Sequence, residues 1–216
     1  MSRVFSKFAS AGRRLVLLAV ACCTILAAEA RKEAAAEADI FEMSIDENMK
    51  TPAVPQKKAR AVCQAVKETA AKIAAKGFST SVVRNGEVIE ITIPCSRIFS
   101  ANTAHLKPSA YDLLHNLHKY VSRRDLYKVI VAVHSDNTGD EQYCDNLTAE
   151  RANTIDDYFF NINGKEETGI VPYGLGADEP LNSNSSMQQR EQNRRVEIYL
   201  VPTAEFIERC SGLIIF

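Results

Sequence analysis

The stretch Val129-Ile-Val-Ala-Val-His-Ser-Asp-Asn-Thr-Gly139 constrains the fold of this chain more than any other. A β-branched run from Leu126 to Val133 reads as a strand, and the polar, turn-forming cluster after it ends that strand. From Leu147 to Phe160 the apolar residues return at helical spacing. A strand end and the helix that follows it meet in space in α/β units. Asp136 and Arg151, fifteen residues apart, can therefore face one small pocket. A carboxylate set apart from a guanidinium suits a zwitterion: Asp accepts from an ammonium and Arg clamps a carboxylate with two parallel hydrogen bonds. The same spacing also fits an ordinary structural salt bridge, and spacing alone leaves both readings open.

The flanking segments extend the α/β pattern. Ser79 to Arg84 and Glu87 to Ile93 alternate polar and apolar residues around Asn85-Gly86, which predicts a β-hairpin. Ser96 to His105 reads as a loop. Leu106-Lys-Pro108 then opens a helix with Ala110, Leu113, Leu114, Leu117 and Val121 on its core face. Gly169 to Gly174 and Arg195 to Val201 are further strand candidates. The expected fold is α/β, a sandwich with a mixed β-sheet packed on two main helices, an N-terminal hairpin and flanking helices.

Composition limits the functions available. Lys and Arg number 26 against 27 Asp and Glu, a formal charge of −1, which gives no general attraction to nucleic acid. No apolar run reaches the ~18–20 residues of a membrane span. The best apolar stretch follows Arg3, Lys7, Arg13 and Arg14, runs from Leu15 to Ala28 and meets the small-x-small triplet Ala28-Glu29-Ala30. Residues 1–30 are accordingly read as a signal peptide. Lipidation at Cys22 is a weaker alternative, because the triplet before it is Ala-Val-Ala and the apolar run continues past it; an uncleaved anchor is a third.

Residues 31–54, rich in Ala and acid and ending in Thr51-Pro-Ala-Val-Pro55, read as a linker. Residues 55–78 carry a flanking helix with Val62, Val66 and Ile73 on one stripe, closed by Gly77. The main domain spans 79–203, and 204–216 form a short helix and an apolar tail. Cys63, Cys95, Cys144 and Cys210 lie outside the signal with no Cys-x-x-Cys pair. Two disulfides or free thiols are both open, and a structural zinc site has no support.

Four motifs in order then carry a resemblance: His134-Ser-Asp-Asn-Thr-Gly139, Leu147-Thr-Ala-Glu-Arg-Ala152, Gly174-Leu-Gly-Ala-Asp-Glu-Pro180 and Arg190-Glu-Gln-Asn-Arg-Arg-Val-Glu-Ile198. Between about Ile89 and Val201 the chain resembles the OmpA-like C-terminal domain family, which includes the periplasmic domains of outer-membrane protein A, the peptidoglycan-associated lipoprotein and flagellar stator proteins. The resemblance implies non-covalent binding of peptidoglycan through the meso-diaminopimelate of its stem peptide, without a cofactor, in the periplasm and in association with the outer membrane. Asp136 falls on the family's ammonium-binding Asp and Arg151 on its carboxylate-binding Arg. Asn102, in Phe99-Ser-Ala-Asn102, is similar to a further pocket contact. Asn137, Thr138, Arg190, Asn193 and Arg194 are expected as supporting or structural residues, with Arg194 leaning to structure. Ser100, Val133 and Cys144 depart from the family pattern, Cys144 replacing an amide by a weak hydrogen-bonding group.

Other classes rest on less. His134 with Asp136, or His115 with His118, falls short of the three converging ligands of a catalytic metal site. Gly-x-Ser-x-Gly, His-Glu-x-x-His and phosphate-loop motifs are absent from the sequence. An envelope protein-interaction module, docking through the apolar C-terminus or N-terminal helix without binding the wall, is the main competitor. Asn146-Leu-Thr148 and Asn184-Ser-Ser186 match glycosylation acceptors, but Asn146 is expected to cap a helix.

Overall fold

The computed structural model describes residues 43–164 and 169–210. The signal reading of residues 1–30, the first part of the linker and the tail 211–216 lie outside the described residues. The described residues from Ser44 onward belong to one compact unit.

Among the described residues seven α-helices and five strands follow one another: α1 Ile45–Asn48, α2 Gln56–Ala74, β1 Ser79–Val83, β2 Val88–Pro94, α3 Cys95–Ile98, α4 Pro108–Val121, β3 Tyr127–Val133, α5 Glu141–Ile162, β4 Ile170–Gly174, α6 Met187–Asn193, β5 Arg195–Pro202 and α7 Ala204–Arg209. The sheet runs β1-β2-β5-β3-β4. The first three pairings, β1 with β2, β2 with β5 and β5 with β3, are antiparallel, while β3 and β4 are parallel across α5. Pro172, which has no N–H for a ladder, is accommodated because β4 is an edge strand. At the hairpin turn Arg84, Asn85 and Gly86 all have positive φ (50°, 59° and 89°), the conformation that Asn and Gly tolerate best.

The core lies on one sheet face. Ile89, Ile91 and Ile93 of β2, Val129, Val131 and Val133 of β3, and Val196, Ile198 and Leu200 of β5 alternate onto it. They meet Val62, Val66 and Ile73 of α2, Leu114, Leu117 and Val121 of α4, and Ala152, Ile155 and Phe159 of α5. The predicted apolar stripes are therefore the stripes that are buried.

Over β5 the opposite face is buried as well, so that this strand is covered along its whole length. Its polar residues form a closed set: Glu197 accepts from Arg195 Nε at 2.5 Å and Tyr199 Oη at 2.6 Å, with His134 Nε2 at 3.1 Å. Burial, the largest influence on Glu197, pushes its carboxyl upward; the bonds from His134, Tyr199 and Arg195 outweigh it and hold the group at about 2.

Several boundaries differ from the sequence reading. Residues 95–98, read mainly as loop, form a helical turn, with Phe99 N donating to Cys95 O at 2.8 Å. Helix α5 begins at Glu141, since Asp140 caps it by accepting from Tyr143 N at 2.8 Å. Asn146 lies inside that helix and does not cap it. Within the span read as a linker, Ser44 and Glu47 form a capping box around α1. There Asn48 is fully buried, donating to Tyr173 Oη at 2.5 Å and accepting from Lys128 Nζ at 3.2 Å. The four described cysteines are free thiols.

Candidate functional site

The site forms where β3 ends. Asp136 is 1% exposed and accepts from Thr138 N at 2.8 Å and from the Thr138 hydroxyl, so the turn after the strand holds its carboxylate in place. Its second oxygen accepts from Arg194, directly before β5. The other arm of the Arg194 fork reaches Glu191 of α6 at 2.5 Å. Burial pushes both carboxyls up as the largest single influence, yet both lie below their ordinary values. Thr138 and Arg194 outweigh burial at Asp136, and Ser96 and Arg194 do so at Glu191.

Arg151 comes to the same place from α5. It is 5% exposed, its guanidinium lies 5.0 Å from the centre of the Phe99 ring, and its Nε donates to Thr103 O at 2.9 Å. Phe99 pairs with Leu106 across a short bridge, and Ser100 N donates to His105 O at 2.9 Å, which closes the intervening loop. Asn102 sits in this loop with φ 54°, a left-handed conformation that Asn accepts more readily than most residues.

Close contact between α5 and the sheet end sets where Arg151 stands. A Cβ on Gly174 would lie 2.3 Å from Ala149 N, so only glycine lets β4 approach the α5 backbone this closely. Gly176 N then donates to Thr148 Oγ1 at 3.0 Å, and Ser135 N to Gly176 O at 2.6 Å, tying the loop after β4 to helix and strand.

Together these elements line a cavity of about 300 Å³ that includes Asp136, Arg151, Asn102, Thr138 and Arg194, together with Ser96, Phe99, Lys107, Tyr143 and Glu191. Its lining carries charges of both signs. Asp136 and Glu191 share Arg194, which leaves that side with one net negative charge, while Arg151 and Lys107 carry no ion pair among the described residues. A broader hollow of about 600 Å³ beside Tyr111, Glu150 and Asp157 has acids but no Lys or Arg in its lining.

The structure separates the residues singled out in the sequence. Asp136, Arg151, Asn102, Thr138 and Arg194 converge. Asn137 is exposed and outside the lining. Arg190 donates to Asn184 O at 2.8 Å, and buried Asn193 joins Asn182 N and O and Asn184 Oδ1, so both tie the loop before α6. Cys144 Sγ lies 3.6 Å from Asp136 O, a weak contact beneath the site. Lys107 and Glu191 escaped the sequence reading; both stand inside quoted motifs, but no periodicity says that their side chains turn into a cavity. Among the described residues no cluster of His, Cys, Asp and Glu fits a metal ion.

Residues 98–194, the segment that carries all of the cavity lining but Cys95 and Ser96, match the OmpA family. This segment is an OmpA-family domain. Outer membrane protein A of Bordetella avium is 31% identical over 140 residues, covering 65% of this chain and 64% of that protein. The peptidoglycan-binding protein ArfA of Mycobacterium tuberculosis H37Rv is 33% identical over 100 residues, 46% of this chain and 30% of that one. The chain thus spans less than two thirds of either relative. The OmpA-family fold is also that of a MotB-like protein from Desulfovibrio vulgaris, with a TM-score of 0.58 at 23% identity over 67% of this chain and 98% of that structure.

Proposed function

We propose that the OmpA-family domain binds peptidoglycan non-covalently through the side-chain end of meso-diaminopimelate, helping to link the cell envelope to the wall. The observation that carries this reading is that one small cavity is lined both by the buried Asp136 carboxylate and by Arg151, which carries no ion pair among the described residues. The Asp136 side, with its net negative charge, accepts an ammonium; Arg151, stacked on Phe99 and held through Nε, offers its remaining N–H groups to a carboxylate. The two charges of the ligand sit on one carbon at the end of a short apolar chain, and the cavity is of a size for such a group. The ArfA relative, named for peptidoglycan binding, supports the class of ligand, and outer membrane protein A supports a place in the envelope; a ligand in the wall puts the proposed site on the periplasmic side of the outer membrane. The role is binding and not catalysis.

Lysine lacks the second carboxylate, so a lysine-type stem leaves Arg151 without its anion, a loss of about 1.5–3 kcal/mol, or roughly ten- to a hundredfold in affinity. Calorimetric titration with soluble stem peptides tests this. The diaminopimelate stem is expected to bind and the lysine stem to bind at least tenfold more weakly. Equal affinity would remove the zwitterion reading, and no binding of either would favour a domain that recognises an envelope protein instead.

A further inference from the structure

The cavity holds one more cation than a diaminopimelate end group uses. This inference rests on the diaminopimelate reading and extends it. The ammonium of that end group takes the Asp136, Glu191 and Arg194 side, and its carboxylate takes Arg151. Lys107 remains, half-buried on the rim.

Three features set Lys107 apart from a solvated surface lysine. Its backbone is fixed, because Lys107 N donates to Ile98 O at 2.8 Å and Pro108 follows it as the first residue of α4. Its ammonium, with three donors, spends one on Ser96 O at 2.5 Å, and among the described residues no carboxylate pairs with it. It also occupies the N-cap of a 14-residue helix. The helix dipole disfavours a cation there and favours an anion, and the first turn supplies no acid of its own.

A stem peptide presents such anions close to the diamino acid: the α-carboxylate of the γ-linked glutamyl residue before it, and the C-terminal carboxylate of a stem that ends at it. We infer that Lys107 is a specificity-determining residue which receives a second stem carboxylate, so that the site reads one ammonium and two carboxylates. The two sources share one chemistry, and amidating each in turn distinguishes them.

The test is calorimetry on the full-length protein and its Lys107→Gln and Lys107→Arg variants, each checked for folding by circular dichroism. Three synthetic tripeptide stems ending in diaminopimelate are used: one with both carboxylates free, one amidated at the glutamyl α-carboxylate, one amidated at the C-terminus. Wild type is expected to bind one of the two amides about three- to tenfold more weakly than the free acid. Lys107→Gln, which keeps a donor for Ser96 O, binds all three at that weaker level, and Lys107→Arg restores the discrimination. Equal binding of all three stems by wild type, or discrimination that survives Lys107→Gln, overturns the role of Lys107 while leaving the diaminopimelate reading intact. Failure of wild type to bind any stem overturns both.

Discussion

Asp136 is neutralised by Arg194, which follows α6, and not by Arg151 of α5. The consequence is a division of labour between two arginines that a sequence cannot assign. Arg194 stabilises a buried carboxylate and shares itself with Glu191, while Arg151 is held by a ring and one backbone carbonyl.

Removing Arg194 should therefore disturb Asp136 first. In Arg194→Gln the burial of Asp136 acts without its main counter-charge, and the carboxyl pKa rises from its present depressed position. Stability falls by about 1–3 kcal/mol, a moderate loss because Arg194 itself stays one-third exposed. Carbon-detected NMR titration of Asp136, with urea unfolding at pH 7, reads both effects. An unchanged Asp136 titration would contradict the pairing.

Glu197 makes stability depend on acid. Its folded carboxyl is held at about 2 against roughly 4.3 in an unfolded chain, so the folded state binds fewer protons in between. The contribution, on the order of 3 kcal/mol, is fully present above the unfolded value and is lost as pH falls from about 4.3 towards about 2. Urea midpoints of wild type should drop through that window. Glu197→Gln should start less stable at pH 7 and show a flatter fall, and parallel curves would exclude Glu197 as the source.

Gly174→Ala places a methyl against the backbone of α5, where no side-chain rotation relieves it. A loss of about 1–3 kcal/mol is expected, with weaker ligand binding as well, because α5 carries Arg151. Thermal unfolding and stem-peptide titration of the same sample measure the two; a variant as stable as wild type would show that the close approach is dispensable.

Cys95 is 3% exposed and burial pushes its thiol up to about 11, so little thiolate exists near neutrality. Iodoacetamide at pH 8 should leave it unmodified in the folded protein and label it rapidly in urea. Mass spectrometry of tryptic peptides reads the difference, and rapid labelling of folded protein would contradict its burial.

Much of the architecture is legible in the sequence because periodicity reports burial on one face. Val62, Val66 and Ile73, or Leu114, Leu117 and Val121, recur as a helix requires and are buried. Helix α6 has no such signal: Met-Gln-Gln-Arg-Glu-Gln-Asn lacks an apolar stripe, and its start is marked only by Ser186, which accepts from Gln189 N at 3.1 Å. The first three residues of α5, Glu141 to Tyr143, are likewise exposed and carry no apolar stripe, and the Asp140 cap is what marks them. At the site, Asp136 and Arg151 are legible from their spacing across a strand end and a helix, and Asn102 through motif resemblance. The partnership of Arg194 with Asp136 and Glu191, the orientation of Lys107 and the burial of Glu197 on the second sheet face depend on which elements pack together, which no local pattern encodes.

Recognition of a zwitterion by opposed charges is open to a direct test by co-sedimentation with purified cell wall. Wild type, Asp136→Asn and Arg151→Gln, each verified as folded, are mixed with diaminopimelate-type and lysine-type peptidoglycan. Wild type is predicted to pellet with the diaminopimelate wall alone, and both variants to remain in the supernatant. Equal pelleting with both walls, or pelleting unaffected by either substitution, would contradict it.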